Sequence, residues 1–259
     1  MIVNAMYGQL SNRIILNAHA LATSFETKQD ITLTSFNDIA KFYQCDNLSS
    51  NRIKIKKSFW WSFEERIIVI LNRIFSRILH QNIEIDFSPK VITLWDYRDY
   101  ENVEKHADKI RCFFQPKEEL ILETKEKWNE IKRSCDVIIG VHIRRGDYKT
   151  WCDGKYYYED TVYEAVMKRL EKELNTKRVT FIIFSNEDID INKFKVSSNV
   201  VCSKGNAIED HWLMSMCDYL FGPPSTFTRW GAYMGKKPLA FIESSEEIIS
   251  IKDFKYMSI

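Results

Sequence analysis

Two adjacent arginines follow an apolar segment in the second half of the chain. Val137–Ile143 has the composition of a buried strand, and Arg144 and Arg145 come directly after it. An arginine keeps its charge and directs paired N–H donors towards one anion, so two arginines at a strand end suit a diphosphate. The same residues also fit a salt-bridged pair at a sheet edge, with Asp147 as the acid that holds it.

A second segment with the features of an anion site runs from Gly222 to Trp230. Ser225 or Thr226 can begin a helix as its N-cap, after two prolines that make the preceding turn rigid. A helix start in this setting presents backbone N–H groups to a phosphate. The alternative is an ordinary capped helix with no ligand.

Other nucleotide and metal motifs are absent from the sequence or have a second explanation. There is neither a GxxxxGK[ST] loop nor a GxGxxG after a strand, which excludes a P-loop ATPase and a standard dinucleotide site. The six cysteines and five histidines show no paired metal-ligand spacing, so we predict reduced thiols and no metal site. Asp188 and Asp190 either hold a divalent metal beneath a diphosphate or begin the next helix.

The elements that must position these residues alternate between strand and helix, which predicts an α/β fold with parallel sheets. The chain opens with a short strand at Met1–Ala5 and a helix from Asn12 to about Phe25. The later predicted strands are Val137–Ile143, Thr180–Phe184, Asn199–Cys202, Tyr219–Phe221 and Pro238–Ile242. Helical patterns cover 117–133, 158–175, 208–216 and 226–234. Right-handed crossovers between such strands place ligands at the C-terminal strand ends.

The chain divides into two predicted domains, 1–130 and 131–259. Residues 50–101 are less regular than the rest, and the polar helical segment 117–133 precedes the first strong strand. The composition, 45% hydrophobic and 14% aromatic, is enough for a sizeable core and excludes disorder as the main state.

Charge and the N-terminus exclude several kinds of partner and location. The 37 basic side chains balance 36 acidic ones, which argues against bulk nucleic-acid binding. The N-terminus has no secretory signal, and the longest apolar run, Ile67–Leu71, is too short to cross a bilayer. These features predict a cytoplasmic protein.

A basic segment provides a predicted membrane contact. Residues 50–80 carry seven basic and two acidic side chains, interleaved with Trp60, Trp61 and Phe63. The stretch Glu64–Leu79 is predicted to be an amphipathic helix, which is suited to peripheral contact with an anionic bilayer. The alternative is a helix whose apolar side faces the core and whose basic side faces water.

Four motifs in order resemble those of the α-1,2-fucosyltransferases of glycosyltransferase family eleven, which are more distantly related to the α-1,6- and protein O-fucosyltransferases. The motifs are Gly8–Arg13, His142–Tyr148, Phe184–Asp188 and Ser225–Ala232. Within them, Ser11, Asn186 and Arg229 stand where the family has glycine, aspartate and tryptophan.

The resemblance implies the GT-B fold, in which two Rossmann-like β/α domains face each other across a cleft. It implies an acceptor-side domain at 1–130 and a nucleotide-sugar domain at 131–259. The implied activity is metal-independent, inverting transfer of L-fucose from GDP-β-L-fucose to a glycan hydroxyl, with an α-1,2 linkage and no cofactor. The alternatives are a different nucleotide-sugar donor, or an inactive relative that binds a glycan or nucleotide.

The resemblance also assigns roles to single residues. Arg144 neutralises the departing β-phosphate, and Arg145 supports the same loop. The donor-binding residues that it implies are His142 and Asp210 near the guanine, Ser225, Thr226 and Phe227 around the phosphates, and Asn12 from the N-terminal domain.

The general base is left open by the sequence. Asp147, Asp153 and His19 are the candidates. Asp147 has a second explanation, since an acid beside two arginines often pins one of them in place.

Overall fold

The computed structural model describes residues 1–4, 8–45, 52–56, 67, 70–71, 91–92, 96–175, 177–246 and 248–259. Its internal contacts divide the chain into two compact units, Met1–Lys117 and Glu118–Ile259.

The first unit contains a small parallel sheet with helices. The described strands are β1 (Ile2–Val3), β2 (Ile31–Leu33), β3 (Ile53–Ile55) and β4 (Val91–Ile92), in the order β3-β2-β1-β4. Every pairing between them is parallel. The helices are α1 (Leu10–Thr27), α2 (Tyr100–Lys105) and α3 (Ala107–Phe113). The predicted opening of a strand followed by a helix is therefore present, with α1 two residues longer at each end than predicted.

The second unit is a five-stranded parallel sheet with helices between its strands. The strands are β5 (Val137–Ile143), β6 (Val179–Ser185), β7 (Asn199–Cys202), β8 (Tyr219–Gly222) and β9 (Leu239–Phe241). The helices are α4 (Leu122–Ser134), α5 (Asp160–Glu173), α6 (Ala207–Met216) and α7 (Thr226–Gly235). The strand order is β7-β6-β5-β8-β9. The sequence therefore predicted every strand of this sheet, and two of them, β5 and β7, with the observed bounds.

Successive residues of the central strand β5 pack into two different apolar layers. Ile139, Val141 and Ile143 pack in the layer that contains α5 residues, whereas Ile138 packs in the layer that contains α4 and α6 residues. This alternation follows from the two-residue period of a strand. Both faces are covered by helices, which is why β5 is apolar along almost its whole length.

The helix α4 belongs to the second unit. Trp128 on this helix packs in the same apolar layer as Ile138 and Leu220, and so does Ile121, the residue just before the helix. The predicted boundary after residue 130 falls inside this helix, whereas the contacts divide the chain after Lys117. The acceptor-side and nucleotide-sugar roles of the two domains stay predictions.

The predicted amphipathic helix Glu64–Leu79 lies outside the described residues except for Ile67, Ile70 and Leu71. Within the basic segment 50–80, the structure places residues 53–55 in β3. No helix among the described residues is long and apolar enough to cross a membrane. Peripheral contact with a membrane stays a prediction.

Candidate functional site

The strand order of the second sheet has its switch point at β5. From β5 the chain continues to β6 on one side, whereas β8 pairs with β5 on the other side. Loops leave the C-terminal ends of β5 and β8 in opposite directions at such a point, and the crevice between them is where open α/β sheets bind ligands. The two segments predicted to suit anions follow these two strands.

The close approach of β5 and β8 depends on a glycine. A Cβ atom added to Gly222 would lie 2.4 Å from the carbonyl oxygen of His142. Any larger residue would push the strand ends apart, so Gly222 allows the turn after β8 to lie against the end of β5.

Arg144 lies at the C-terminal end of β5 and pairs with the acid three residues later. Its Nη2 is 2.9 Å from Oδ1 of Asp147, and its guanidinium carbon is 5.7 Å from the ring centroid of Tyr148. The side chain of Asp147 is 55% exposed, whereas that of Arg144 is 16% exposed. The contact orients the guanidinium just beyond the C-terminal end of β5.

Arg145 turns to different partners from its neighbour. Its guanidinium pairs with the carboxylate of Asp160, the first residue of α5, and donates to the hydroxyl of Tyr157 at 3.1 Å. Burial alone would lower the pKa of Arg145, but these two partners outweigh it and raise the pKa. Its backbone N–H also donates to Asn186 at 3.0 Å. Arg145 therefore ties the loop after β5 to α5 and β6, which favours a supporting role.

His142 lies in a buried ring cluster between the strand end and α7. Its Nδ1 is 2.6 Å from Oγ1 of Thr228, and its ring centroid is 5.4 Å from that of Phe227. Phe227 in turn lies 4.2 Å from the ring of His211. Burial, assisted by the charge of Arg144, lowers the pKa of His142 to about 3, and burial lowers that of His211 to about 3 as well. Both rings are therefore neutral at physiological pH.

Asp210 is a buried acid on α6. The hydroxyl of Ser203, which follows β7, donates to its Oδ1. Burial raises the pKa of Asp210 to about 7, and the charge of Glu209 adds to this effect, while the bond from Ser203 opposes it. A carboxyl held at this pKa readily exchanges a proton when a ligand with N–H donors arrives.

The start of α7 has the capped geometry that the sequence predicts. Ser225 is the N-cap, and its Oγ accepts the N–H of Phe227 at 3.1 Å. The hydroxyl of Tyr148 donates to the carbonyl of Pro224 at 2.7 Å, which joins the loop after β5 to this helix start. Thr226 occupies the first helical position. The structure therefore brings Arg144 and the start of α7 to neighbouring strand ends.

Asn12 and His19 lie in the first unit. Asn12 is in the first turn of α1, where a Cβ atom on Gly8 would come within 2.4 Å of its Nδ2. His19 is fully buried on the same helix, and its Nδ1 accepts the backbone N–H of Asp99 at 2.9 Å. This burial and the bond from Asp99 favour a structural role for His19, and its use as a base stays a prediction.

Two further predicted acids are exposed. Asp153 lies in the loop after β5 in a left-handed conformation, with a φ of 56°. Asp190 accepts the backbone N–H of Asn192 at 3.1 Å as the N-cap of a short 3-10 helix. This contact matches the interpretation of the acidic pair as a helix start.

Sequence reasoning missed four residues that build this site: Tyr157, Asp160, Ser203 and Thr228. Each becomes relevant only through a partner that lies between 7 and 86 residues away in the chain, so no local motif marks it. Thr228 offered the best signal, because it lies one turn into the helix that follows the predicted N-cap.

Residues 105–245 match a family model that is described as "Glycosyl transferase family 11". An alpha-1,2-colitosyltransferase of Escherichia coli is 32% identical over 146 residues, which are 50% of this chain and 46% of that protein. The chain therefore spans about half the length of this curated relative.

Several solved structures share the fold. The fucosyltransferase NodZ from Bradyrhizobium superposes with a TM-score of 0.61 at 12% identity, covering 95% of this chain and 96% of that chain. POFUT1 in complex with GDP-fucose gives a TM-score of 0.57 at 10% identity, covering 94% of this chain and 97% of POFUT1. FUT1 of Arabidopsis thaliana, solved with GDP, gives a TM-score of 0.57 at 11% identity, covering 99% of this chain and 73% of that chain. The predicted α/β fold of the GT-B type is confirmed.

Proposed function

The chain belongs to glycosyl transferase family 11, and from this membership among glycosyltransferases we propose that it transfers L-fucose from GDP-β-L-fucose to a hydroxyl of a glycan acceptor. The proposed linkage is α-1,2, formed with inversion and without a metal ion. GDP and GDP-fucose are bound in solved structures that share the fold, which supports a GDP-sugar as the donor.

The observation that carries the proposal is the position of Arg144 and the start of α7 at neighbouring strand ends. Arg144 supplies a permanent positive charge, and α7 supplies backbone N–H groups and the positive end of its dipole. Their strands meet at the switch point of a parallel sheet, where ligands bind. A diphosphate is a ligand whose negative charge suits this combination.

The chemistry requires stabilisation of negative charge on the leaving group. As the bond between the anomeric carbon and the β-phosphate oxygen breaks, the electron pair stays with GDP and charge grows on the diphosphate. Groups already fixed where that charge develops lower the barrier, each by about 3 to 4 kcal/mol. Arg144 and the N–H groups of α7 supply this stabilisation, which supports transfer without a metal.

In this proposal, Asp210 and His142 lie near the guanine base. The carboxylate of Asp210 suits the N–H donors of guanine, and its pKa of about 7 allows it to lose a proton as the base binds. The neutral ring of His142 is buried and packs against Phe227, so in this proposal it supports the part of the site that takes the planar base.

We assign Asp147 the orientation of Arg144. The two side chains are in contact, and removal of the acid would release the guanidinium. The acceptor hydroxyl attacks the anomeric carbon from the face opposite the leaving diphosphate. Its proton passes to a carboxylate on the loop after β5, where Asp147 and Asp153 are both exposed.

A second donor is favoured by one observation. The relative from Escherichia coli is an alpha-1,2-colitosyltransferase, and its match to this chain is stronger in identity than that of any fucosyltransferase structure above. Colitose is L-fucose without its 3-hydroxyl, so the same phosphate site would serve both sugars. The second candidate function is therefore transfer of colitose from its GDP-linked form.

The test is release of GDP from GDP-fucose without an acceptor, since water replaces the acceptor slowly in an active transferase. We expect slow release by the unsubstituted protein, loss of release in Arg144→Ala, and no effect of EDTA. Parallel assays with GDP-colitose and GDP-mannose distinguish the donors. No release from any GDP-sugar would contradict the proposal and favour an inactive binding protein.

A further inference from the structure

Three aromatic rings stack on the loop that follows Arg144. The ring centroids of Tyr148 and Trp151 are 4.8 Å apart, and those of Trp151 and Tyr156 are 5.4 Å apart, each pair tilted by 33°. Tyr148 is buried, whereas Trp151 remains 45% exposed although two rings contact it. A half-exposed tryptophan held by its neighbours presents a large apolar surface in a fixed position.

The ring stack is continuous with the proposed donor site. The hydroxyl of Tyr148 donates to Pro224 at 2.7 Å, next to the N-cap of α7. Its ring centroid lies 5.7 Å from the guanidinium carbon of Arg144. Tyr148 therefore joins the exposed indole to the groups assigned to the diphosphate.

The backbone beside the indole is strained. Cys152, Asp153 and Gly154 follow Trp151 with φ values of 50°, 56° and 75°. Left-handed conformations cost a non-glycine residue roughly 1 kcal/mol or more, and they persist where the surroundings impose them. The backbone N–H groups of Lys155 and Tyr157 close the loop by donating to Cys152 at 3.1 Å and to Gly154 at 3.0 Å. The closed loop therefore fixes the backbone that follows Trp151.

We infer that Trp151 is the platform on which a pyranose ring of the acceptor stacks; the inference rests on the proposed function and adds the acceptor side of the same reaction. A sugar ring has a face of C–H bonds that are polarised by the neighbouring oxygens. The face of an indole is electronegative and attracts such hydrogens while burying apolar area. The acceptor would thus lie beside the leaving group's site, held through a sugar with an exposed C–H face.

The competing occupant of an exposed indole in a nucleotide-sugar enzyme is the guanine base. A substitution of Trp151 distinguishes guanine from an acceptor sugar. Loss of a guanine contact would weaken GDP binding, whereas loss of an acceptor contact would not. Trp151→Ala removes the platform, Trp151→Phe keeps part of it, and Tyr256→Ala removes an aromatic ring that is 77% exposed elsewhere in the same unit. Tyr256→Ala is therefore the matched control.

The experiment measures the Kd of GDP by calorimetry and the rate of GDP release from GDP-fucose with lactose, N-acetyllactosamine, cellobiose or chitobiose. The disaccharide that accelerates release most is the probe. We expect Trp151→Ala to raise the KM of this probe about tenfold, as for loss of one aromatic stacking contact, with the GDP Kd changed less than about twofold. Trp151→Phe should give an intermediate KM, and Tyr256→Ala should match the unsubstituted protein.

An unchanged KM in Trp151→Ala, or no acceleration by any of the four disaccharides, would overturn this inference alone. A GDP Kd that rises with the KM would overturn it in favour of stacking on guanine. Failure of the unsubstituted protein to release GDP, with or without a disaccharide, would overturn the proposed function together with this inference.

Discussion

The imidazole Nδ1 of His142 lies 2.6 Å from the hydroxyl oxygen of Thr228, so a hydrogen bond joins the end of β5 to α7. His142 is 4% exposed and Thr228 is fully buried, so water does not compete for this bond. The bond fixes the strand end that carries Arg144 relative to the helix start at Ser225. This buried contact therefore helps to position both groups that are proposed to hold the diphosphate.

Thr228→Val should destabilise the protein by about 1 to 3 kcal/mol, because it removes the hydroxyl and leaves a buried ring nitrogen without this bond. Urea unfolding measures the loss. Thr228→Ser is the control, since it keeps the hydroxyl and should lose less. Unchanged stability in Thr228→Val together with a loss in Thr228→Ser would show that packing of the threonine methyl group, rather than the bond, stabilises this site.

Asp160→Asn should reduce stability with little change in kcat. The variant leaves the guanidinium of Arg145 without its charged partner, and we expect a loss of about 2 to 3 kcal/mol, smaller than for a fully buried pair because the Asp160 side chain is 28% exposed. Urea unfolding and GDP release from GDP-fucose measure the two effects. A fall in kcat as large as that of Arg144→Ala in a stable protein would instead place Arg145 in contact with the substrate.

Asp210 should make the protein less stable as the pH rises. Its pKa is raised from 3.8 to about 7 in the folded state. Below pH 3.8 the carboxyl is protonated in both the folded and the unfolded protein. Between pH 3.8 and about 7 the unfolded protein loses this proton while the folded protein keeps it, so the free energy of unfolding falls as the pH rises. Above about pH 7 the loss in the free energy of unfolding is constant, at up to about 4 kcal/mol by this linkage.

Asp210→Asn should therefore be more stable than the unsubstituted protein at about pH 8, and the difference should shrink towards about pH 4. Asp188→Asn, which replaces an exposed acid at the same edge of the sheet, is the control and should not alter the pH dependence. The unsubstituted protein should also bind GDP more tightly as the pH rises through about 7, an effect absent from Asp210→Asn. A stability difference that is independent of pH would contradict a raised pKa.

Arg144→Lys should lower kcat nearly as much as Arg144→Ala, by roughly 10² to 10³, because an ammonium keeps the charge but loses the paired donors. The melting temperature should change little, since the pair with Asp147 is partly exposed and such pairs contribute about 1 kcal/mol or less. GDP release and thermal unfolding measure both quantities. Near-normal turnover in a folded Arg144→Lys protein would leave only the salt-bridge explanation for this arginine.

The sheet of the second unit was predictable because its strands are short apolar runs between turn residues. Burial on both faces makes β5 apolar, and the sequence therefore marks both of its ends. The N-cap at Ser225 was predictable for a similar local reason, since the cap and the groups that it satisfies are neighbours in the chain.

The side-chain partners of Arg145 were not predictable from the sequence. They depend on the turn that follows, where Gly146 has a φ of 62°, and on Asp160, which is fifteen residues away in the chain. His19 shows the same limit, because its partner Asp99 is eighty residues away. Side-chain direction depends on these tertiary contacts, whereas the pattern of apolar residues determines only the elements.

The most direct test of the central claim, that this chain is a GDP-sugar transferase, is calorimetric titration with GDP, GDP-fucose, GDP-colitose, GDP-mannose and UDP-galactose. We expect GDP and a GDP-linked deoxysugar to bind, with GDP-fucose the tightest donor. UDP-galactose should give no measurable heat at the same concentrations. Tighter binding of UDP-galactose than of every GDP-sugar would contradict the claim.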